Sequence, residues 1–171
     1  MQYDGPFFHG SYTNFPMGFR LLGGGDEYEE EWSLLGYFEA IHRHAPEGAI
    51  RHRDAVFMCE RIEDIDSCGG ATDVVSIIRP LAPVSRHDMN WTKRISALLD
   101  NGADLDDPEV VDACRKYWDG TPNPSGEPLW EYLTRDAAIL ACCDYDDPEV
   151  EQILLEFWAD EHGACEAGMA P

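Results

Sequence analysis

Three short strand-like runs, each carrying one residue able to do chemistry, constrain this chain more than any other feature. Phe7-Phe8-His9-Gly10-Ser11 sets a histidine beside a glycine and a small hydroxyl. Ala55-Val56-Phe57-Met58-Cys59 places an aromatic ring inside an apolar run, and Trp130-Glu131-Tyr132-Leu133 puts one carboxylate at the head of an otherwise apolar strand. Read singly, each has a plain structural meaning: a histidine at a strand edge, a core phenylalanine, a solvated edge charge. Together and in order, they point to a site assembled from separate strands.

The segments between these runs set the fold class. Over residues 29–44, Trp32, Leu35, Phe38 and Ile41 recur near helical spacing with acids on the opposite face. Ala45-Pro46-Glu47-Gly48 ends that helix. Residues 63–69 read as a short helix or turn, and 73–78 as another strand. Pro80 and Pro83 stop that strand, because proline cannot extend a central ladder. Residues 85–91 are polar and loop-like, ahead of a helical segment at 92–99. Asp-Asp-Pro-Glu-Val occurs at 106–110 and again at 146–150, each time before an apolar helical pattern. An Asp N-cap, a proline whose missing N–H costs nothing in the first turn, and a glutamate at the positive dipole end explain both. They are two helix starts rather than a repeat. A proline-rich loop at 121–128 leads into the Glu131 strand, and 137–143 is apolar enough for a further strand. The last helix is expected to reach about residue 162, with 163–171 a frayed tail. Strands interleave with helices without regular βα alternation, so one α+β domain is expected over residues 1–171.

Charge narrows the function classes. The chain has 34 acids against 12 Lys plus Arg, a net charge of −22. Such a surface repels nucleic-acid phosphates and anionic membranes, so general nucleic-acid binding is not expected. Solubility is the plain consequence. The rival reading is a non-enzymatic acidic inhibitor that occupies a basic surface of a partner. Cys59, Cys68, Cys114, Cys142, Cys143 and Cys165 contain no C-x-x-C pair and no histidine at zinc-finger spacing, so no metal is expected. They read as buried free thiols of a reducing compartment. Gly23-Gly24-Gly25 lacks the Lys-Ser/Thr of a phosphate loop and runs into acids, which makes it a hinge. His42 and His44 diverge on a helix and cannot share an ion, so favourable contact with the helix dipole is their expected role. No targeting signal or membrane-length apolar stretch is evident, and a cytoplasmic location is expected.

A histidine, an aromatic and a glutamate in this order, one to a strand, resemble the His-Tyr-Glu signature of the ADP-ribosyltransferases. Phe7-Phe8-His9-Gly10-Ser11 is similar to the Leu-Trp-His-Gly-Ser first strand of the poly(ADP-ribose) polymerase family. Trp130-Glu131-Tyr132-Leu133 is similar to that family's Asn-Glu-Tyr-Ile around the catalytic glutamate, and Phe57 stands at the signature tyrosine of its Gly-Ile-Tyr-Phe-Ala strand. The middle of the chain also resembles the rifamycin-modifying ADP-ribosyltransferases. Val56-Phe57-Met58-Cys59, then Val74-Val75-Ser76-Ile77-Ile78-Arg79-Pro80, then Asp88 follow the order of two strands and a catalytic aspartate there.

The resemblance implies a split β-sheet core with peripheral helices, NAD⁺ as co-substrate, and mono-ADP-ribosyl transfer to a protein, nucleic-acid or small-molecule acceptor. A bacterial or phage effector fits it. Gly10 would offer its backbone N–H and C=O to the nicotinamide amide, with Ser11 reaching the same group. His9 would hold a ribose hydroxyl, and Phe57 would stack on the nicotinamide ring. Glu131 would stabilise the oxocarbenium-like ribose and deprotonate the acceptor. Asp88 is the competing acid, otherwise placed at the cofactor; the flanking residues favour Glu131. The chain departs from the pattern at Phe57, which lacks the tyrosine hydroxyl. It departs also at Leu129, where arginine-specific members carry Glu or Gln.

Overall fold

Alternation along the apolar runs decides how the strands stack. The computed structural model describes residues 5–24, 36–68 and 70–167, with backbone alone from 160 onward. Among them, seven strands form two antiparallel sheets. The first has the order β1 (Phe7–Ser11), β4 (Val74–Pro80), β7 (Asp136–Asp144), β2 (Arg20–Leu22). The second has the order β3 (Val56–Met58), β6 (Trp130–Thr134), β5 (Val84–Asp88). Four helices accompany them: α1 (Gly36–Arg43), α2 (Asn90–Asp100), α3 (Pro108–Trp118) and α4 (Val150–Ala167). The class is α+β, as expected. No helix among the described residues is long and apolar enough to cross a membrane.

The central strand β4 is apolar on both faces because both are covered. Val75 and Ile77 pack with Phe8, Ile65 and Leu154 of α4. Ile78 turns the other way, toward Phe7, Met58, Tyr132 and Ile139, in the core between the two sheets. A third cluster lies among α1, α2 and α3, where Ile41, Trp91, Ile95, Val110 and Tyr117 meet. That helical layer brings Tyr117 against the second sheet, its ring 4.6 Å from that of His87 on β5.

The two sheets touch where β1 passes β3. Phe8 and Cys59 exchange both backbone hydrogen bonds, at 2.9 and 3.0 Å. A continued antiparallel ladder would next set Gly10 opposite Phe57. The strands instead part, and the Phe57 carbonyl accepts from His9 Nδ1 at 2.9 Å. Glycine is required at position 10 by close approach: a Cβ there would lie 2.2 Å from the Ala71 carbonyl oxygen and 2.3 Å from Ile65 Cγ2.

Several local expectations change. Residues 84–88 form β5, paired in register with β6 from Val84↔Thr134 to Asp88↔Trp130. Their polarity suggested a loop, but His87 and Asp88 are buried with hydrogen-bond partners, which satisfies the polar groups inside the fold. The short strand β2 escaped notice because it begins with a charge, Arg20, which pairs with Asp136 on β7. Pro108 does open α3, yet the Asp107 carboxylate accepts from the Asp104 N–H at 2.9 Å rather than capping the helix. Asp147 does accept from the Glu149 N–H at 2.9 Å, at the entry to α4. Helix α4 continues to Ala167, through most of the expected tail. Residues 29–35 of the first expected helix, Gly25 and residues 168–171 lie outside the described residues.

Candidate functional site

Strand geometry fixes which side chains can meet. Side chains alternate between faces, so Gly10 shares a face with Phe8, and Phe57 shares one with Cys59. The Phe8–Cys59 bridge puts these on the same side. Glu131 lies one register step beyond Met58↔Tyr132 and joins that side. His9 and Ser11 leave β1 on the opposite side, with Phe7. His9 and Phe57 therefore meet through the Phe57 backbone at the split, and Glu131 does not face the His9 ring across one open cleft.

Each expected residue has a defined place. His9 is partly buried, and burial lowers its pKa despite the opposing effect of the Phe57 hydrogen bond. Its Nδ1–H donates to the Phe57 carbonyl. Gly10 is buried under Ile65 and Ala71 rather than open. The Ser11 hydroxyl donates to the Thr13 carbonyl at 2.8 Å and turns into its own loop instead of toward Gly10. The Phe57 ring stacks near-parallel on His52, centroids 5.8 Å apart.

Glu131 is the largest departure from a solvated strand-edge acid. It is 1% exposed. Tyr117 donates its hydroxyl proton to Glu131 Oε1 at 2.7 Å, and His52 Nε2 lies 3.5 Å from the same oxygen. Burial pushes the carboxyl pKa up, but the hydrogen bond and charge of His52, the charge of His87 and the Tyr117 hydrogen bond outweigh it. The group stays below its ordinary value and is ionised at neutral pH. Sequence reasoning missed His52, Tyr117, His87 and the role of His42. His52 sits in an Arg-His-Arg-Asp run that reads as solvated charge. Tyr117 reads as an ordinary apolar position of α3. His42 was assigned to the helix dipole; its Nε2 instead lies 3.1 Å from His52 Nδ1. His44 separately donates to the Leu105 carbonyl at 2.9 Å.

Asp88 lies elsewhere than at an open site. It is fully buried, and its carboxylate accepts three backbone N–H groups: Asn90 at 3.0 Å, Leu129 at 3.1 Å and Asn123 at 2.7 Å. The acid ties the end of β5 to the start of α2 and to the loop feeding β6. Both its oxygens are engaged in this staple, where an acid open to the cofactor or the reaction was expected.

A separate cavity of about 410 Å³ opens beside the start of α2, lined by Asn90, Trp91, Lys93, Arg94, Asn123 and Ser125. None of the expected site residues lines it. Arg94 is engaged by Glu109 at 3.0 Å, and Lys93 by Asn90 at 3.3 Å. No group of three or more His, Cys, Asp or Glu among the described residues could hold a metal ion.

The buried histidines carry a pH dependence. His42 falls from 6.5 to about 4, through burial first and then the nearby His52, Arg51 and Arg53. His9 and His87 are lowered mainly by burial. An unfolded chain takes up protons on these groups that the fold excludes, so stability falls as pH drops below about 6.5. Glu131 acts at lower pH: its carboxylate contributes stability that is lost as pH falls through its depressed folded value. The thermal midpoint is therefore expected to fall between about pH 7.5 and about pH 5 at high salt, where repulsion among surface acids is screened. A flat or rising midpoint over that interval contradicts the buried neutral histidines.

No protein family, curated protein or solved structure matches this chain.

Proposed function

We propose that this chain is an NAD⁺-dependent mono-ADP-ribosyltransferase whose NAD⁺ site is the split between β1 and β3. The observation that carries the reading is the break in the ladder at Gly10. Alternation aims the Gly10 N–H and C=O at β3, as it does for Phe8, but the strands part before Gly10 can pair with Phe57. Peptide groups left out of the ladder at such a break suit a flat carboxamide. His9 holds one wall by its bond to the Phe57 carbonyl, and Phe57 belongs to the other wall. Two antiparallel sheets joined by one bridge accord with an ADP-ribosyltransferase-like split core.

Transfer breaks the nicotinamide–ribose bond, and positive charge grows on the ribose. Glu131, ionised one strand from Phe57, is the chain's candidate to stabilise that charge. It can then take the proton of the attacking acceptor. The reading requires a rearrangement on binding, since Ile65 and Ala71 cover Gly10 and Glu131 is buried.

NAD⁺ binding only the folded state is expected to raise the thermal midpoint by mass action. His9→Ala should remove most of that rise, while losing only about 1–3 kcal/mol of stability with the hydrogen bond from His9 to the Phe57 carbonyl. The net charge of −22 favours the second reading, an acidic inhibitor. No shift at millimolar NAD⁺, together with salt-sensitive binding to a basic partner, would replace the enzyme reading with that one.

A further inference from the structure

Glu131 is buried without being isolated. The single Tyr117 hydroxyl proton is used on Glu131 Oε1, so His52 Nε2, 2.8 Å from the Tyr117 oxygen, must be the donor of that contact. In the tautomer whose one ring proton sits on Nε2, His52 offers Nδ1 as an acceptor. His42 Nε2, 3.1 Å away, is then the donor. The donors all point inward, His42 to His52 to Tyr117 to Glu131. His52 is 5% exposed, whereas His42, on the last turn of α1, is only partly buried. The Phe38 ring packs against both imidazoles, at 4.1 and 5.2 Å between centroids, and holds them in line.

We propose that His42, His52 and Tyr117 are a proton relay connecting the buried Glu131 carboxylate to the surface, so that Glu131 exchanges its proton without becoming exposed. A proton arriving on His42 Nδ1 lets the His42 Nε2 proton pass to His52 Nδ1. The His52 Nε2 proton passes to the Tyr117 oxygen, and the phenolic proton passes to Glu131 Oε1. Each N–H or O–H bond breaks as the next forms. The net change is one proton gained by Glu131, with the chain left in reversed polarity. Return of the proton by the same route resets it. The inference stands whether or not NAD⁺ is the substrate.

His52 and Tyr117, the two inner members of this chain, each donate and accept, which passive support of a carboxylate does not require. The outlet is suited to passing a proton rather than trapping it. His42 is neutral at physiological pH, through burial first and then His52, Arg51 and Arg53, with Asp54 opposing them. The other titratable groups facing Glu131 do not branch the path. His87 is engaged by the Tyr117 carbonyl at 3.0 Å and the Ser85 hydroxyl at 3.0 Å. Tyr37 and Cys68 sense the Glu131 charge, and both are held protonated, Tyr37 by burial and Cys68 by its hydrogen bond to Cys59.

The test is the exchange of the His52 Nε2 proton with water, followed by nitrogen-15 NMR of the whole chain. His42→Gln still donates to His52 Nδ1 but cannot pass a proton on. It should slow the exchange by at least about tenfold while amide protection across β6 is unchanged. His42→Phe should act in the same direction and serves if the first variant fails to fold. Unchanged exchange in a folded variant overturns the relay. So does exchange that tracks loss of β6 amide protection, because the proton then escapes by opening of the fold.

Discussion

Glu131→Gln is expected to slow nicotinamide release from NAD⁺ by on the order of a hundredfold, the effect of losing one preorganised electrostatic group. The amide oxygen can still accept from Tyr117, so the hydrogen bond survives while the negative charge is lost. NAD⁺ affinity should change much less, because the missing interaction strengthens only as the ribose becomes cationic. The signature is a fall in kcat with little movement in KM. Because Glu131 is fully buried beside His52, the denaturation midpoint of the variant must be measured alongside its rate. A folded Glu131→Gln protein that releases nicotinamide at the parent rate removes Glu131 from the reaction.

Asp88→Asn is expected to act on stability instead. The carboxylate is the shared acceptor for three peptide N–H groups from separate segments. An asparagine presents one acceptor oxygen and turns an NH₂ toward at least one of those donors. Loss of charge-assisted bonds and an unpaired buried donor together cost on the order of 3 kcal/mol. Urea denaturation reads this directly as a lower midpoint at unchanged slope. A variant of parental stability whose nicotinamide release is abolished would restore Asp88 as the reacting acid.

These two acids show where sequence is informative and where it is not. The strands of His9, Phe57 and Glu131 were legible because apolar runs with turn residues at their ends have few alternatives. The residues 84–88 were not, because their polarity is satisfied by groups contributed from elsewhere in the chain. His87 reaches the Tyr117 carbonyl, and Asp88 reaches the peptides of residues 90, 123 and 129. An isolated acid at a strand end looks the same whether it will meet a ligand or three peptide N–H groups. Glu131 was found as a candidate, yet its burial was hidden for the same reason. Tyr117 arrives from α3 and His52 from the turn before β3, and neither position carries a local pattern. The face on which each strand residue projects also depends on the Phe8–Cys59 bridge, a pairing between distant segments.

The claim that the β1–β3 split is the NAD⁺ site is tested most directly by amide hydrogen exchange with and without saturating NAD⁺. Bound nicotinamide should protect the Gly10 and Phe57 amides, while residues 65 and 71, which cover Gly10, exchange faster as they move away. Unchanged exchange at Gly10, with protection appearing instead at the α2 cavity around Asn90 and Asn123, would contradict the account.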